Sequence, residues 1–275
     1  MHIVADIGGT KTRIAGSSDL ESMTDPIVID TPQSYAEGLS ALETAVKVIT
    51  KGESVEHIAA GIRGFVAPDK SAMLKDQIIP DWAQKPLAND LKKMMGAKSA
   101  QLENDTGLVG LGEAVFGAGK GAAIVVYMTV STGINGTRII DGKIDRSHQG
   151  FEIGGQYLSM VPEKSIEDLI SGTAVAERFG KHPKDLGKDN PVWGELAKVA
   201  AYSVHNTILH WSPERMILGG SMFNDVGISV ARVAEHVKTI MKKFPTTPEI
   251  VHASLGDIGG LWGGLALLRQ KNQSI

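Results

Sequence analysis

The chain has 275 residues and contains no cysteine. This absence excludes disulfide bonds, thiolate zinc sites and cysteine nucleophiles. Any chemistry that the protein performs must therefore rest on oxygen and nitrogen groups.

Long hydrophobic runs and a surplus of basic charge are also missing. The longest apolar stretches, residues 124–130 and 259–268, fall short of the about 20 residues that span a bilayer. A carboxylate and glycines interrupt the apolar start of the chain too early for a signal peptide. The net charge of −3 offers no basic field for a nucleic-acid backbone. We therefore expect a cytoplasmic protein with no membrane association and no nucleic-acid partner.

What the chain does contain is one pattern that occurs twice. Strand-like runs at residues 2–7 and 12–15 flank a Gly-Gly turn, and a helix-like run over 35–51 and a strand over 57–62 follow. Strand-like runs at 124–130 and 137–140 flank a second turn, and helices over 165–179, 192–211 and 226–243 follow. Each turn closes a hairpin, so the sheets are predicted to be mixed. The repetition predicts an α/β protein with two related lobes and a ligand-binding cleft between them.

The first turn has the sequence Asp6-Ile7-Gly8-Gly9-Thr10-Lys11. Glycines let backbone N–H groups approach phosphate oxygens, Thr10 adds a hydroxyl donor, and Asp6 suits a magnesium ion held through water. The alternative is an ordinary hairpin with a buried Asp at its base.

The second turn, Ser131-Thr132-Gly133-Ile134-Asn135-Gly136-Thr137, follows a buried strand in the same way. Two such turns, one in each lobe, suit the two sides of a polyphosphate. A polar hairpin in which Gly and Asn only supply positive φ angles is the alternative.

Three further positions carry candidate polar groups. Asp105 in Glu103-Asn104-Asp105 suits the carboxylate that takes a proton from an attacking hydroxyl, although it could also cap the following helix. Glu152 and Glu167 suit sugar hydroxyls, which carboxylates bind as acceptors. Most single Glu residues are instead solvated surface groups.

In their order and spacing, these motifs resemble those of the ROK family of sugar kinases, a branch of the actin, hexokinase and Hsp70 superfold. Other segments are similar to the family in the same order: Gly61-Ile62-Arg63-Gly64, Ile79-Pro80-Asp81-Trp82, Leu218-Gly219-Gly220-Ser221 and the stretch from Ala253 to Gly264. The resemblance covers nearly the whole chain. It implies two actin-like (ribonuclease H-like) lobes with mixed sheets and a central cleft. The implied small lobe has residues 1–107 plus 260–275, and the large lobe has residues 108–259.

The resemblance also implies a role for each motif. Asp105 would be the general base. The implied sugar ligands are Gly64, Asn104, Glu152 and Glu167. The implied ATP-binding residues are Asp6, Gly8, Gly9, Thr10, Lys11, Thr132, Gly133, Gly219 and Gly220. Asp6 would also hold Mg²⁺ through water, and no zinc site is expected because the family's cysteine-rich loop is absent.

Two departures from the family pattern concern the site directly. The family's Glu-Ile-Gly-His segment is Glu152-Ile153-Gly154-Gly155 here, so the sugar-contacting His is missing. This leaves the sugar open, because a site built to bond one hydroxyl discriminates strongly on it. His148 is a candidate substitute. The second departure is Arg63, which stands where the family usually has Pro.

The resemblance predicts an ATP-dependent hexose kinase that phosphorylates the 6-hydroxyl of glucose or a related hexose and works as a homodimer. A sugar-sensing regulator and a catalytically silent member of the family are the alternatives. Regulators of the family carry a DNA-binding helix-turn-helix before the first phosphate loop, which begins here at Asp6. We therefore expect a kinase.

Overall fold

The computed structural model describes residues 1–224 and 226–272, with the last of these described by its backbone alone. The strands are β1 His2–Ile7, β2 Lys11–Ser17, β3 Ile27–Asp30, β4 His57–Ile62, β5 Phe65–Val66, β6 Met73–Lys75, β7 Ser99–Asn104, β8 Ile124–Val130, β9 Ile134–Ile140, β10 Lys143–Ile144, β11 Tyr157–Met160, β12 Glu163–Ser165, β13 Arg215–Gly219 and β14 Glu249–His252. The helices are α1 Tyr35–Thr50, α2 Leu87–Met94, α3 Asp105–Val115, α4 Ile166–Ile170, α5 Gly172–Phe179, α6 Val192–Trp211, α7 Val230–Ile240 and α8 Gly259–Asn272. None of the helices in the described ranges is long and apolar enough to cross a membrane.

The predicted bounds of β1, β4, β8 and α6 are confirmed. The prediction of one helix over 165–179 is wrong, because Ser171 ends α4 and its hydroxyl accepts the amide of Ala174 to start α5. A serine at this position satisfies an otherwise free N–H group of the new helix. The short hairpins β5–β6 and β11–β12 carry no clear alternating pattern, and the sequence did not predict them.

The chain forms two compact units, and the first contains residues 1–115, 146–150 and 257–275, the last three of which lie outside the described residues. Its sheet has the order β3-β2-β1-β4-β7, with β1 antiparallel to β2 and parallel to β4. Strand β7 runs parallel to β4. One face of the sheet packs on α1 and α2 through a core that includes Leu42, Ile58 and Leu102.

The other face of the first sheet carries α8, which packs on β1, β4 and α3. Glycines bring the backbones of α3 and α8 into contact. A Cβ atom on Gly112 would lie 2.5 Å from the carbonyl oxygen of Gly259, and one on Gly263 would overlap the carbonyl oxygen of Leu108. Helix α8 can therefore pack this closely on α3 only because Gly112 and Gly263 have no side chains.

The second unit contains residues 116–145 and 151–256, and its sheet has the order β10-β9-β8-β13-β14. Strand β8 is antiparallel to β9 and parallel to β13, which is parallel to β14. Helix α6 supplies Leu196 and Val204 to a core that also contains Met128 and Met216. Both units thus join an antiparallel hairpin to two parallel strands, and the predicted mixed sheets are confirmed. The predicted lobe limits at residues 107 and 260 stay a prediction.

Replacing Gly263 with alanine tests the contact between α3 and α8. We expect Gly263→Ala to lower the free energy of unfolding by about 1–3 kcal/mol, because the new methyl group must push the two backbones apart. Chemical denaturation measures the change.

Gly194→Ala in α6 is the control. A Cβ atom there meets only the flexible Arg232 side chain, at 3.3 Å, so alanine should gain up to about 1 kcal/mol of helix propensity. Equal effects of the two substitutions would contradict the proposed packing.

Candidate active site

In the first unit, the carboxyl ends of β1, β4 and β7 lie along one edge of the sheet. The register pairs Ile7 with Ile62 and Ile62 with Asn104. The residues that follow these strands therefore emerge together at this edge, where ligands commonly bind in α/β proteins. Asp6, Arg63 and Asp105 are brought there by three separate strands.

Asn104, rather than Asp105, caps the start of α3. The Asn104 Oδ1 atom accepts the amide of Gly107 at 3.1 Å, and its Nδ2 group donates to the carbonyl of Gly64 at 3.2 Å. Asn104 is thus the helix cap, which leaves Asp105 as the first helical residue. The Oδ1 atom of Asp105 accepts the amide of Thr106 at 2.7 Å. Capping therefore does not account for Asp105.

Gly64 occupies a position that only glycine fits. Its φ angle is +85°, and a Cβ atom would overlap the carbonyl oxygen of Lys75. The carbonyl of Gly64 is in turn held by Asn104. The structure therefore brings together these two predicted sugar ligands, and Asp105 follows Asn104 in sequence.

Asp6 is a partly buried carboxylate beside a helix start. A Cβ atom on Gly260, in the first turn of α8, would lie 2.7 Å from Oδ2 of Asp6. Burial, and next the negative charge of Asp105, raise the pKa of Asp6 to about 7, and Arg13 partly opposes them. Within the described residues the carboxylate of Asp6 accepts no hydrogen bond. This leaves it open to a ligand.

The pKa of Asp105 is also raised, chiefly by burial, while its hydrogen bond to Thr106 and the charge of Arg63 oppose this shift. A raised pKa makes a carboxylate a better proton acceptor. The edge thus carries two carboxyl groups whose charges are poorly compensated, an arrangement that favours an approaching cation.

The first predicted phosphate loop is a tight turn between β1 and β2. The amide of Gly8 donates to the carbonyl of Lys11 at 3.0 Å. The side chains of Thr10 and Lys11 are exposed, and the ammonium of Lys11 lies 2.5 Å from Asp30 on β3. This surface ion pair joins the first residue of β2 to the last residue of β3. The roles of Lys11 and Thr10 as ligands stay predictions.

Sequence reasoning missed an ion pair at this edge. The Nε atom of Arg63 donates to Asp76 at 2.7 Å, and Asp76 is nearly fully buried. The departure at Arg63 was visible in the sequence, but nothing there linked it to Asp76, which lies after β6.

In the second unit, the second predicted phosphate turn is held from several sides. The carbonyl of Ser131 accepts the amide of Gly172 at 2.6 Å, and that of Thr132 accepts the hydroxyl of Thr173 at 2.9 Å. The Oε2 atom of Glu167 accepts the amide of Ile134 at 2.6 Å. Glu167 therefore supports this turn, and the sequence did not predict this role for Glu167.

Gly219 and Gly220 lie at the end of β13, close to the same turn. Gly220 has a φ angle of +94°, and a Cβ atom there would lie 2.8 Å from Oγ of Ser131. The amide of Ser221 donates to that same oxygen at 3.0 Å. The predicted adenine-binding glycines therefore lie next to Ser131, at the start of the second predicted phosphate turn.

Glu152 is exposed and precedes a 3₁₀ turn at Ile153–Gly155, which packs on β9 and α4. Close contact fixes Gly154, since a Cβ atom there would overlap the carbonyl oxygen of Ile134. A Cβ atom on Gly155, in contrast, would have no atom within 4 Å. The position where the family has His is therefore open space.

A cavity of about 540 Å³ lies within the second unit. It is lined by Thr132, Glu163, Lys164, Glu167, Asp168, Ser171, Thr173, Ala174 and Glu177. Two predicted ligands, Thr132 and Glu167, share this lining, while Glu152 does not contribute to it. Among the residues that the structure describes, no group of three or more His, Cys, Asp and Glu could hold a metal ion.

With two sheets of this topology, the protein has the actin-like fold of the ROK sugar kinases. It superposes on a ROK family glucokinase from Streptomyces griseus, in complex with glucose and AMPPNP, with a TM-score of 0.81 at 24% identity over 98% of this chain and 99% of that one.

The chain belongs to the ROK family, whose model matches residues 2–271. It is 24% identical to a glucokinase from Streptomyces coelicolor, over 98% of each protein. It is 27% identical to a putative fructokinase from Bacillus subtilis, over 84% of this chain and 85% of that protein.

The raised pKa of Asp6 predicts how stability depends on pH. Between about pH 4, where Asp6 ionises in the unfolded chain, and about pH 7, where it ionises in the fold, the folded state binds more protons. Stability due to this residue therefore falls as the pH rises through that window. We expect Asp6→Asn to be more stable than the wild type at pH 8, with a difference that shrinks toward pH 4.

Urea denaturation at several pH values measures this difference, and the exposed Asp25→Asn serves as control. A difference between Asp6→Asn and the wild type that does not change with pH would show that Asp6 is not held protonated by its surroundings.

Proposed function

We propose that the protein is an ATP-dependent sugar kinase that transfers the γ-phosphoryl group of ATP to a hexose hydroxyl, the 6-hydroxyl of glucose or of a related hexose. The observation that carries the proposal is the placement of Asp6 and Asp105 at one edge of the first sheet, in a chain of the ROK family. Relatives named glucokinase and fructokinase support sugar phosphorylation. The complex of a relative with AMPPNP, a compound with the framework of ATP, supports ATP as the donor.

Asp105 is the proposed general base. It takes the proton of the attacking hydroxyl as the new O–P bond forms, and the bond between the β,γ-bridging oxygen and phosphorus breaks to release ADP. Burial raises the pKa of Asp105 and so favours proton transfer to it. Asn104 and Gly64 fix the backbone around Asp105, and we propose that they also contact the sugar.

Asp6 is the proposed partner of a magnesium ion, through water. The fit rests on its carboxylate, which has no hydrogen-bond partner among the described residues and lies in the field of a second carboxylate. Magnesium is commonly held by one or two carboxylates together with waters and phosphate oxygens. When bound, the ion would offset the charge of the phosphate oxygens. The assignments of Gly8, Gly9, Thr132, Gly133, Gly219 and Gly220 to ATP binding stay predictions.

The identity of the sugar depends on the surroundings of Glu152 and Glu167. One carboxylate oxygen of Glu167 already accepts the amide of Ile134, so the other oxygen is the one available to a sugar hydroxyl. The open space at Gly155 removes one potential hydroxyl contact. We therefore propose a tolerant acceptor site, which agrees with relatives that are named for different hexoses.

We expect Asp105→Asn to lower kcat by about 10²- to 10⁴-fold, because the amide cannot take the proton. The affinities for sugar and ATP should change little, since the shape of the site is kept. A coupled ADP-release assay and calorimetry measure these quantities.

The exposed Asp69→Asn, in the same unit, is the matched control and should retain full activity. Undiminished turnover in Asp105→Asn would mean that another group is the base.

We expect Gly155→His to fold normally, because the site of its Cβ atom is free. The imidazole should raise the ratio of kcat/KM between the best hexose and its epimers by about tenfold or more, since a hydroxyl-bonding group rejects sugars that misplace the hydroxyl.

Gly155→Ala controls for the loss of glycine and should keep the wild-type ratio. If both variants give the same ratio, position 155 does not face the acceptor.

A further inference from the structure

Arg63 is held firmly at the edge where Asp6 and Asp105 lie. Its Nε atom donates to Oδ2 of Asp76 at 2.7 Å. Oδ1 of Asp76 accepts the amides of Ile78 and Ile79, each at 2.8 Å, and the Asp76 side chain is only 5% exposed. The anchor of the guanidinium is therefore fixed by three hydrogen bonds and by burial.

The free end of the guanidinium touches the first phosphate loop. A Cβ atom on Gly9 would lie 2.7 Å from Nη1 of Arg63 and equally close to Cγ2 of Ile78, so the glycine lets both side chains approach the loop. Within residues 1–224 and 226–272, only one nitrogen of the Arg63 guanidinium, Nε, has a protein hydrogen-bond partner. The N–H groups of Nη1 and Nη2 remain available, and the side chain is 34% exposed.

Arg63 also acts on the proposed base, because its positive charge opposes the upward shift in the pKa of Asp105. One cationic group thus touches the loop that is predicted to hold phosphates and lies within electrostatic reach of the carboxylate that is predicted to take the proton. An ion pair with Asp76 that served only the fold would require neither the approach to Gly9 nor the effect on the pKa of Asp105.

We propose that Arg63 binds the oxygens of the phosphoryl group under transfer, the terminal phosphate of the donor. This inference rests on the proposed function. The planar fork of an arginine suits phosphate oxygens, and its N–H groups can bind two of them at once. In phosphoryl transfer, charge spreads over the equatorial oxygens, and an arginine aimed at them stabilises the transition state. Asp76 then serves as a positioning residue that holds the fork in place.

The test compares ATP with ADP, which lacks the terminal phosphate. Calorimetry with Mg²⁺ present gives the dissociation constants of both nucleotides for the wild type, Arg63→Met and Arg63→Lys. We expect Arg63→Met to weaken ATP binding about tenfold and to leave ADP binding unchanged, and to lower kcat about 10²-fold or more, because the contact strengthens in the transition state. The ATP affinity and kcat of Arg63→Lys should lie between those of the wild type and Arg63→Met, since lysine keeps the charge but lacks the planar guanidinium.

Asp76→Asn separates the structural role from the binding role. It weakens the anchor but keeps the guanidinium, so it should lower the melting temperature about as much as Arg63→Met while it keeps more of the preference for ATP.

An Arg63→Met variant that keeps the wild-type ratio of ATP to ADP affinity would overturn the inference alone. A wild type that binds neither nucleotide would overturn the proposed function, and the inference with it. If Arg63→Met does not fold, the folded Arg63→Lys variant decides: a reduced preference for ATP supports the proposal, and an unchanged preference overturns it.

Discussion

The negative charge of Asp105 acts on Asp6 at the end of the parallel strands β1, β4 and β7, and the part of the candidate site in the first unit is arranged around these two carboxylates. Asp6 is the last residue but one of β1, Asp105 follows β7, and β4 between them contributes Gly61 opposite Asp6, where a Cβ atom would lie 3.1 Å from Leu108 and 3.6 Å from the Asp6 carboxylate. Burial raises the pKa of both carboxyls, and the negative charge of Asp105 raises the pKa of Asp6 further. Carboxyl groups with strongly shifted pKa values cluster at catalytic and ligand-binding sites.

Three local devices hold the two carboxylates in this position. Asn104 caps α3 and thereby leaves Asp105 without that task. Backbone contact between α3 and α8 through Gly112 and Gly263 brings the start of α8 against Asp6. Arg63, anchored on Asp76, supplies positive charge at the same edge.

The sequence was sufficient for the parts of the fold that have a strong local pattern. The apolar strands β1, β4 and β8 and the amphipathic helix α6 could be predicted because burial imposes their periodicity. The hairpin β11–β12 and the pair Arg63–Asp76 could not, because the first lacks a periodic pattern and the second joins residues through the fold. Likewise, the support that Glu167 gives to the amide of Ile134 depends on a contact between α4 and β9, which no local pattern encodes.

The central claim is that Asp6 and Asp105 form one electrostatic unit, and a titration of their carboxyl carbons by ¹³C NMR tests it most directly. The account predicts that Asp6 titrates near pH 7 in the wild type and at a lower pH in Asp105→Asn, where the neighbouring charge is gone. If Asp6 titrated at the same pH in both proteins, whether near 7 or near its ordinary value of 3.8, the two carboxylates would not be coupled.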